Sequence, residues 1–233
     1  MQTHALVDDG RRRIPVHSPA PDDTYRRLLG PFQWRRLKPE VRARFSSKPI
    51  PGTDIRYAGN MKVRHSFFGA LFAQACRLIG TPLSPYAGSN ALVDVALSAD
   101  RAGGVEWRRR YRFSWRREAL VTSTKRLNAC GVLEEHVGRG FSMQLRVFEQ
   151  DGNLHFLSED YHWRLGRWKV RLPALLTPGV THVIHEQVSG ERFRFVLRVT
   201  HPLLGETFYQ EGEFVPAPTR MPKARFFYLP TAF

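Results

Sequence analysis

Arg109 sits where a cation is least expected. In the run from Val105 to Arg116, strict alternation puts Val105, Trp107, Tyr111, Phe113 and Trp115 on one face of a strand. Glu106, Arg108, Arg110, Arg112 and Arg116 take the other, and Arg109 falls among the aromatics. A guanidinium in an apolar surround needs a counter-charge or water. Its planar fork suits a carboxylate or a phosphate, so Arg109 is a candidate for the head group of an otherwise apolar ligand. A β-bulge or a side chain snorkelling to solvent would place it the same way with no ligand involved.

The second chemical candidate is the tract from His201 to Gly212, which joins two strand-like runs. Pro202 and Gly205 suit a turn, and Gln210 shares a face with Phe208 and Phe214, so it is an inward polar group that needs a partner. His182, His185 and Glu186 share a third run. His182 and Glu186 lie on one face but about 13 Å apart, too far for one metal ion. No Cys/His ligand cluster, serine elbow, phosphate loop or dinucleotide glycine pattern is present. The ligand-binding candidates are Arg109, His185, His201, Tyr209 and Gln210, with no metal, no cofactor and no assignable catalytic set.

These residues need elements to hold them. The clearest helical pattern runs over 61–79, with Phe67, Phe68, Leu71, Phe72, Ala75, Cys76 and Ile79 recurring at spacings of three and four. That stripe predicts a main helix packed on a sheet. Short helices are expected over 22–29 and 40–45, with a short extended piece at Ile55 and Tyr57. From residue 90 the period is two, and strands are expected over 92–98, 105–116, 120–125, 132–137, 141–148, 154–163, 181–188, 192–200 and 206–215, with a helical turn within 166–179. Successive hairpins without a βαβ order predict an α+β fold. The expected architecture is a large curved antiparallel sheet, a partly open barrel or lipocalin- or START-like half-barrel, around the helix. Residues 1–21 read as a flexible arm, 22–216 as one domain and 217–233 as an irregular tail.

The chain has 233 residues and a formal charge of +15. Such a field attracts anionic partners, either a membrane surface or nucleic acid. Nucleic acid is disfavoured, because the aromatics of the Arg-rich strand lie opposite its charges. Cys76 and Cys130 are expected as free thiols in a reducing compartment. No apolar run is long enough to cross a bilayer as a helix, so the expectation is a cytoplasmic protein, or one peripheral to the inner membrane.

Three pieces carry a resemblance: Tyr25-Arg-Arg-Leu-Leu-Gly30, Met61-Lys-Val-Arg64 and His201-Pro-Leu-Leu-Gly-Glu-Thr-Phe-Tyr-Gln210. On these the chain resembles DUF4166, a bacterial domain of unknown function, over roughly 22–215. The resemblance implies a shared fold and no accepted reaction, and by motif position it points to His201, Glu206, Tyr209 and Gln210. Three functions follow from the whole reading. The first is a noncatalytic binding or carrier domain for an apolar small molecule or lipid, with or without an acidic group. The second is an enzyme using the same cavity, and the third a peripheral module for an anionic membrane. The carrier reading predicts a cavity of at least about 300 Å³ with Arg109 or Gln210 in its wall.

Overall fold

The computed structural model describes residues 19–78, 80, 83–115 and 118–218. Most of the expected arm and tail lies outside these residues. Ten long strands build the fold: β3 (Asp54–His65), β4 (Gly88–Ala99), β5 (Val105–Arg112), β6 (Ala119–Leu127), β7 (Leu133–Gly138), β8 (Phe141–Gln150), β9 (Asn153–Leu165), β11 (Val180–Ser189), β12 (Arg192–His201) and β13 (Gly205–Ala217). Each pairs antiparallel with its neighbours. β13 returns to β3, pairing Gln210 with Val63, and β9 bridges β8 and β11. The result is a closed ten-stranded barrel, not a half-barrel. Closure removes the exposed edges that an open sheet of this size would present.

Three short elements complete the sheets. β1 (Ala20–Pro21) and β2 (Ser47–Lys48) pair with each other, and β10 (Trp168–Arg171) pairs with the far end of β9. β10 occupies the β9 edge where β11 has diverged. The β9–β11 ladder covers only Leu154 to Leu157. Beyond it, side chains bridge the gap. The Thr181 N–H donates to Ser158 Oγ at 2.8 Å, and the Tyr161 hydroxyl donates to the Gly179 carbonyl at 2.8 Å.

The helices are α1 (Thr24–Arg36), α2 (Pro39–Phe45) and α3 (Phe67–Cys76). α1 kinks at Gly30, whose φ of 70° suits glycine, with Pro31 following. α1 and α2 plug one end of the barrel. Tyr25, Leu29, Leu37, Val41 and Phe45 are buried there, and Phe45 packs edge-on to Tyr25 with ring centroids 5.0 Å apart.

The expected main helix over 61–79 is corrected to the ten residues of α3. Residues 61–65 belong to β3, where Met61 and Val63 point inward and Lys62 and Arg64 outward. Ser66 ends the strand and caps the helix, its hydroxyl oxygen accepting the Gly69 N–H at 3.1 Å. A Cβ at Gly69 would overlap the Thr207 carbonyl, so glycine here lets α3 lie close against β13. The expected cover for its apolar stripe is also corrected. Ala73 and Cys76 are buried, while Phe67, Phe68 and Leu71 are exposed.

Alternation fills the barrel. Met61, Val63, Ala91, Val93, Tyr111, Phe208 and Phe214 make a solid core on one side. The outer wall carries ion pairs such as Arg112–Asp94 at 2.7 Å, Arg110–Glu118 at 3.1 Å and Arg198–Glu206 at 3.1 Å. Exposed pairs of this kind add little stability. No helix among the described residues is long and apolar enough to cross a membrane.

Candidate functional site

The other side of the barrel is hollow. A cavity of about 300 Å³ runs from Phe72, Cys76 and Leu176 at the open end down to Trp107, Lys125, Glu135 and His185. Its walls come mainly from β5 to β9, β11 and β12. Leu172 and Thr177, on the segment after β10, cover one flank.

Register explains the polar groups at its base. On β5 the inward residues are Trp107, Arg109 and Tyr111, and on β6 they are Val121, Ser123 and Lys125. β7 places Glu135 directly opposite Lys125. Lys125 Nζ lies 3.1 Å from one Glu135 oxygen, and Arg109 Nη2 lies 3.7 Å from the other. The same Arg109 nitrogen donates to Ser123 Oγ. Lys125 also lies over the Trp107 ring, 5.0 Å from its centroid. All three charged side chains are buried.

Two cations therefore share one carboxylate. Burial alone would raise the Glu135 carboxyl, but Lys125 and Arg109 override it and hold it below the usual carboxylate range. Burial pushes the Lys125 ammonium down, and Glu135 opposes that shift. With Glu135 ionised and both cations charged, the group carries one positive charge in excess. Arg109 Nε, Trp107 Nε1 and His185 Nδ1 are buried without a hydrogen-bond partner.

His185 lies in an aromatic cage, with ring centroids 5.0 Å from Phe45, 5.3 Å from Phe195 and 5.9 Å from Trp107. Burial, reinforced by Arg44, Lys125 and Arg109, keeps its pKa well below 6.5, so it is neutral at neutral pH. The Cys76 thiol is pushed up to about 11 by burial and is an unreactive part of the wall. Cys76 and Cys130 are both free.

Of the five residues nominated from sequence, Arg109 and His185 line this cavity. Gln210 is buried beyond it, where its Oε1 accepts the Tyr111 hydroxyl at 3.1 Å. His201 lies at the open end, buried beside Phe72, and its Nδ1 accepts the Leu203 N–H at 3.2 Å. Tyr209 points outward, beneath the guanidiniums of Arg64 and Arg198, and donates to Glu211 at 2.8 Å. The structure does not bring His185, His201 and Tyr209 together. Lys125 and Glu135 escaped the sequence reading, although the parity argument that selects Arg109 selects them too. Lys125 shares a face with Val121, and Glu135 with Leu133.

No cluster of three or more His, Cys, Asp or Glu suited to a metal ion occurs among the described residues. The fold and cavity define a closed β-barrel able to enclose a small molecule. Residues 37–214 match the family described as a domain of unknown function, DUF4166. The chain belongs to that family, and the match spans every barrel strand from β3 to the greater part of β13. No curated protein and no solved structure matches the chain.

Proposed function

We propose that this protein binds, inside the barrel, one small molecule with an apolar body and a single anionic group, and holds or carries it without transforming it. The observation behind this reading is the excess positive charge of Arg109, Lys125 and Glu135 at the base of an apolar cavity. A buried uncompensated charge is costly, and an anion supplies its complement. At about 4 Å and an effective dielectric of about 20, such a contact is worth roughly 4 kcal/mol before desolvation is subtracted. Arg109 Nε and Trp107 Nε1 offer donors for the same group. The apolar body would then lie toward Val183, Met143 and Phe72, with its far end near the opening.

An enzyme working in the same cavity is the competing reading, and Lys125 is its best residue. Among the described residues its ion-pair partner is Glu135, already shared with Arg109, and the neutral His185 is held in an aromatic cage with no hydrogen bond to Lys125. Calorimetric titration with decanoate and with decanol tests the binding reading, since the two differ only in the head group. The proposal predicts saturable binding of decanoate at one site and much weaker binding of decanol. Equal affinities, or no binding of either, would refute it.

A further inference from the structure

The open end of the barrel carries a second feature that the cavity does not explain. Phe67 is 81 % exposed and Leu71 62 % on α3, Leu176 is 71 % exposed beside the opening, and Leu203 (75 %) and Trp168 (65 %) extend the surface. All five stand at the end where β3, β5, β7, β9 and β12 finish and β4, β6, β8, β11 and β13 begin. The described chain enters and leaves at the opposite end, at β1 and after β13. α3 is not a loosely attached segment. It is capped by Ser66 and held to β13 by the close approach of Gly69 to Thr207, so its outward aromatics are rigidly presented.

Charge narrows the choice of partner. Arg77, Arg139, Arg164 and Arg167 surround the same end, all exposed and none in an ion pair among the described residues. The acidic groups nearby are already engaged, Asp160 by Arg171 and Glu206 by Arg198. A second copy placed across a two-fold axis would set these cations against themselves. Nucleic acid could use the arginines and stack on Phe67 and Trp168, but it would leave the aliphatic Leu71, Leu176 and Leu203 unburied. An anionic bilayer meets both requirements, because aromatic and Leu side chains enter the interface while Arg side chains meet the head groups.

We propose that this end of the barrel docks on an anionic lipid membrane, with α3 lying in the interface and the cavity opening toward the bilayer. The proposal stands on the rim alone and does not require the cavity to hold any particular ligand.

Flotation of the full chain with vesicles provides the test. Vesicles of equimolar phosphatidylcholine and phosphatidylglycerol should carry the protein up at low salt. Vesicles of phosphatidylcholine alone should carry far less, and added salt should release the protein. Phe67→Ser with Leu71→Ser should weaken binding by at least about tenfold, given the apolar area withdrawn from the interface. Both positions are exposed, and circular dichroism checks that the barrel is kept. Arg139→Glu with Arg167→Glu should lower binding to the anionic vesicles independently. Phe32→Ser, an exposed position at the closed end, should leave binding unchanged. Failure of the wild type to float, or undiminished flotation of the Phe67/Leu71 variant, would overturn the proposal. So would sedimentation showing a dimer that the Phe67/Leu71 variant dissociates, because a second copy would then cover this face. Decanoate binding plays no part in these readouts, so failure here and failure of the cavity reading are separable.

Discussion

At the closed end of the barrel, Phe45 ends a seven-residue helix and is sealed among Tyr25, Phe156 and His185. At the open end, Phe67 begins a ten-residue helix and stands in solvent. Both phenylalanines belong to short amphipathic segments joined to a strand. The difference lies in what each segment faces. α1 and α2 enter the barrel's end and complete its core, whereas α3 lies against β13 and β3 and leaves the cavity open beside it. One end therefore serves stability, and the other keeps an opening and an apolar surface that folding alone does not use.

The comparison is open to direct attack, beginning with the charges between the two ends. Glu135→Gln would leave Lys125 and Arg109 buried without a counter-ion. It should cost about 3–5 kcal/mol in urea unfolding, and added decanoate should recover part of that loss. A loss near zero would mean that the cations are solvated. Phe45→Ala should cost a similar 3–5 kcal/mol or so through the cavity it leaves, while Phe67→Ala should change unfolding by less than about 0.5 kcal/mol. Comparable losses at the two positions would erase the distinction between the ends.

The smallest effect concerns pH. The folded pKa of His185 lies below its unfolded value, so its contribution to stability is complete above pH 6.5 and is lost as pH falls from there toward the folded pKa. His185→Phe should flatten the decline of stability over that acidic range, measured by thermal unfolding at a series of pH values. The aromatic cage accommodates the new ring, and a buried nitrogen without a partner is removed. An unchanged slope would assign the decline to the other histidines with lowered pKa, among them His155 and His182.

Much of the barrel wall was legible. Alternation from residue 90 onward located the long strands to within a few residues and put Trp107, Arg109 and Tyr111 on the inner face, but it did not show the short β10 inside 166–179. Closure was not legible, because it depends on β13 meeting β3, with Ala217 opposite Arg56. No local pattern encodes that pairing. β3 itself was obscured because Val63 stands four residues before Phe67 and so extends the helical stripe backward into a strand. Exposure of that stripe depends on where α3 docks, and periodicity carries no such information. The charged base of the cavity was half legible. Arg109 stood out within an aromatic run, while Lys125 sits beyond Val121 and Ser123 in a strand of mixed character and looked like a strand end. Parity marks Lys125 and Glu135 as inward, but that they face each other depends on the cross-strand pairing of β6 with β7.

The central claim is that Arg109 and Lys125 give the hollow side of the barrel a preference for an anion. Fluorescence titration with anilinonaphthalene sulfonate and with its uncharged parent, phenylnaphthylamine, isolates that preference, since one sulfonate separates the two probes. Wild-type protein should bind the sulfonate at least about tenfold more tightly, and Arg109→Gln should bring the two affinities together while leaving the parent's unchanged. A wild-type protein that binds both probes equally, or an Arg109→Gln variant that keeps the preference, would contradict the account.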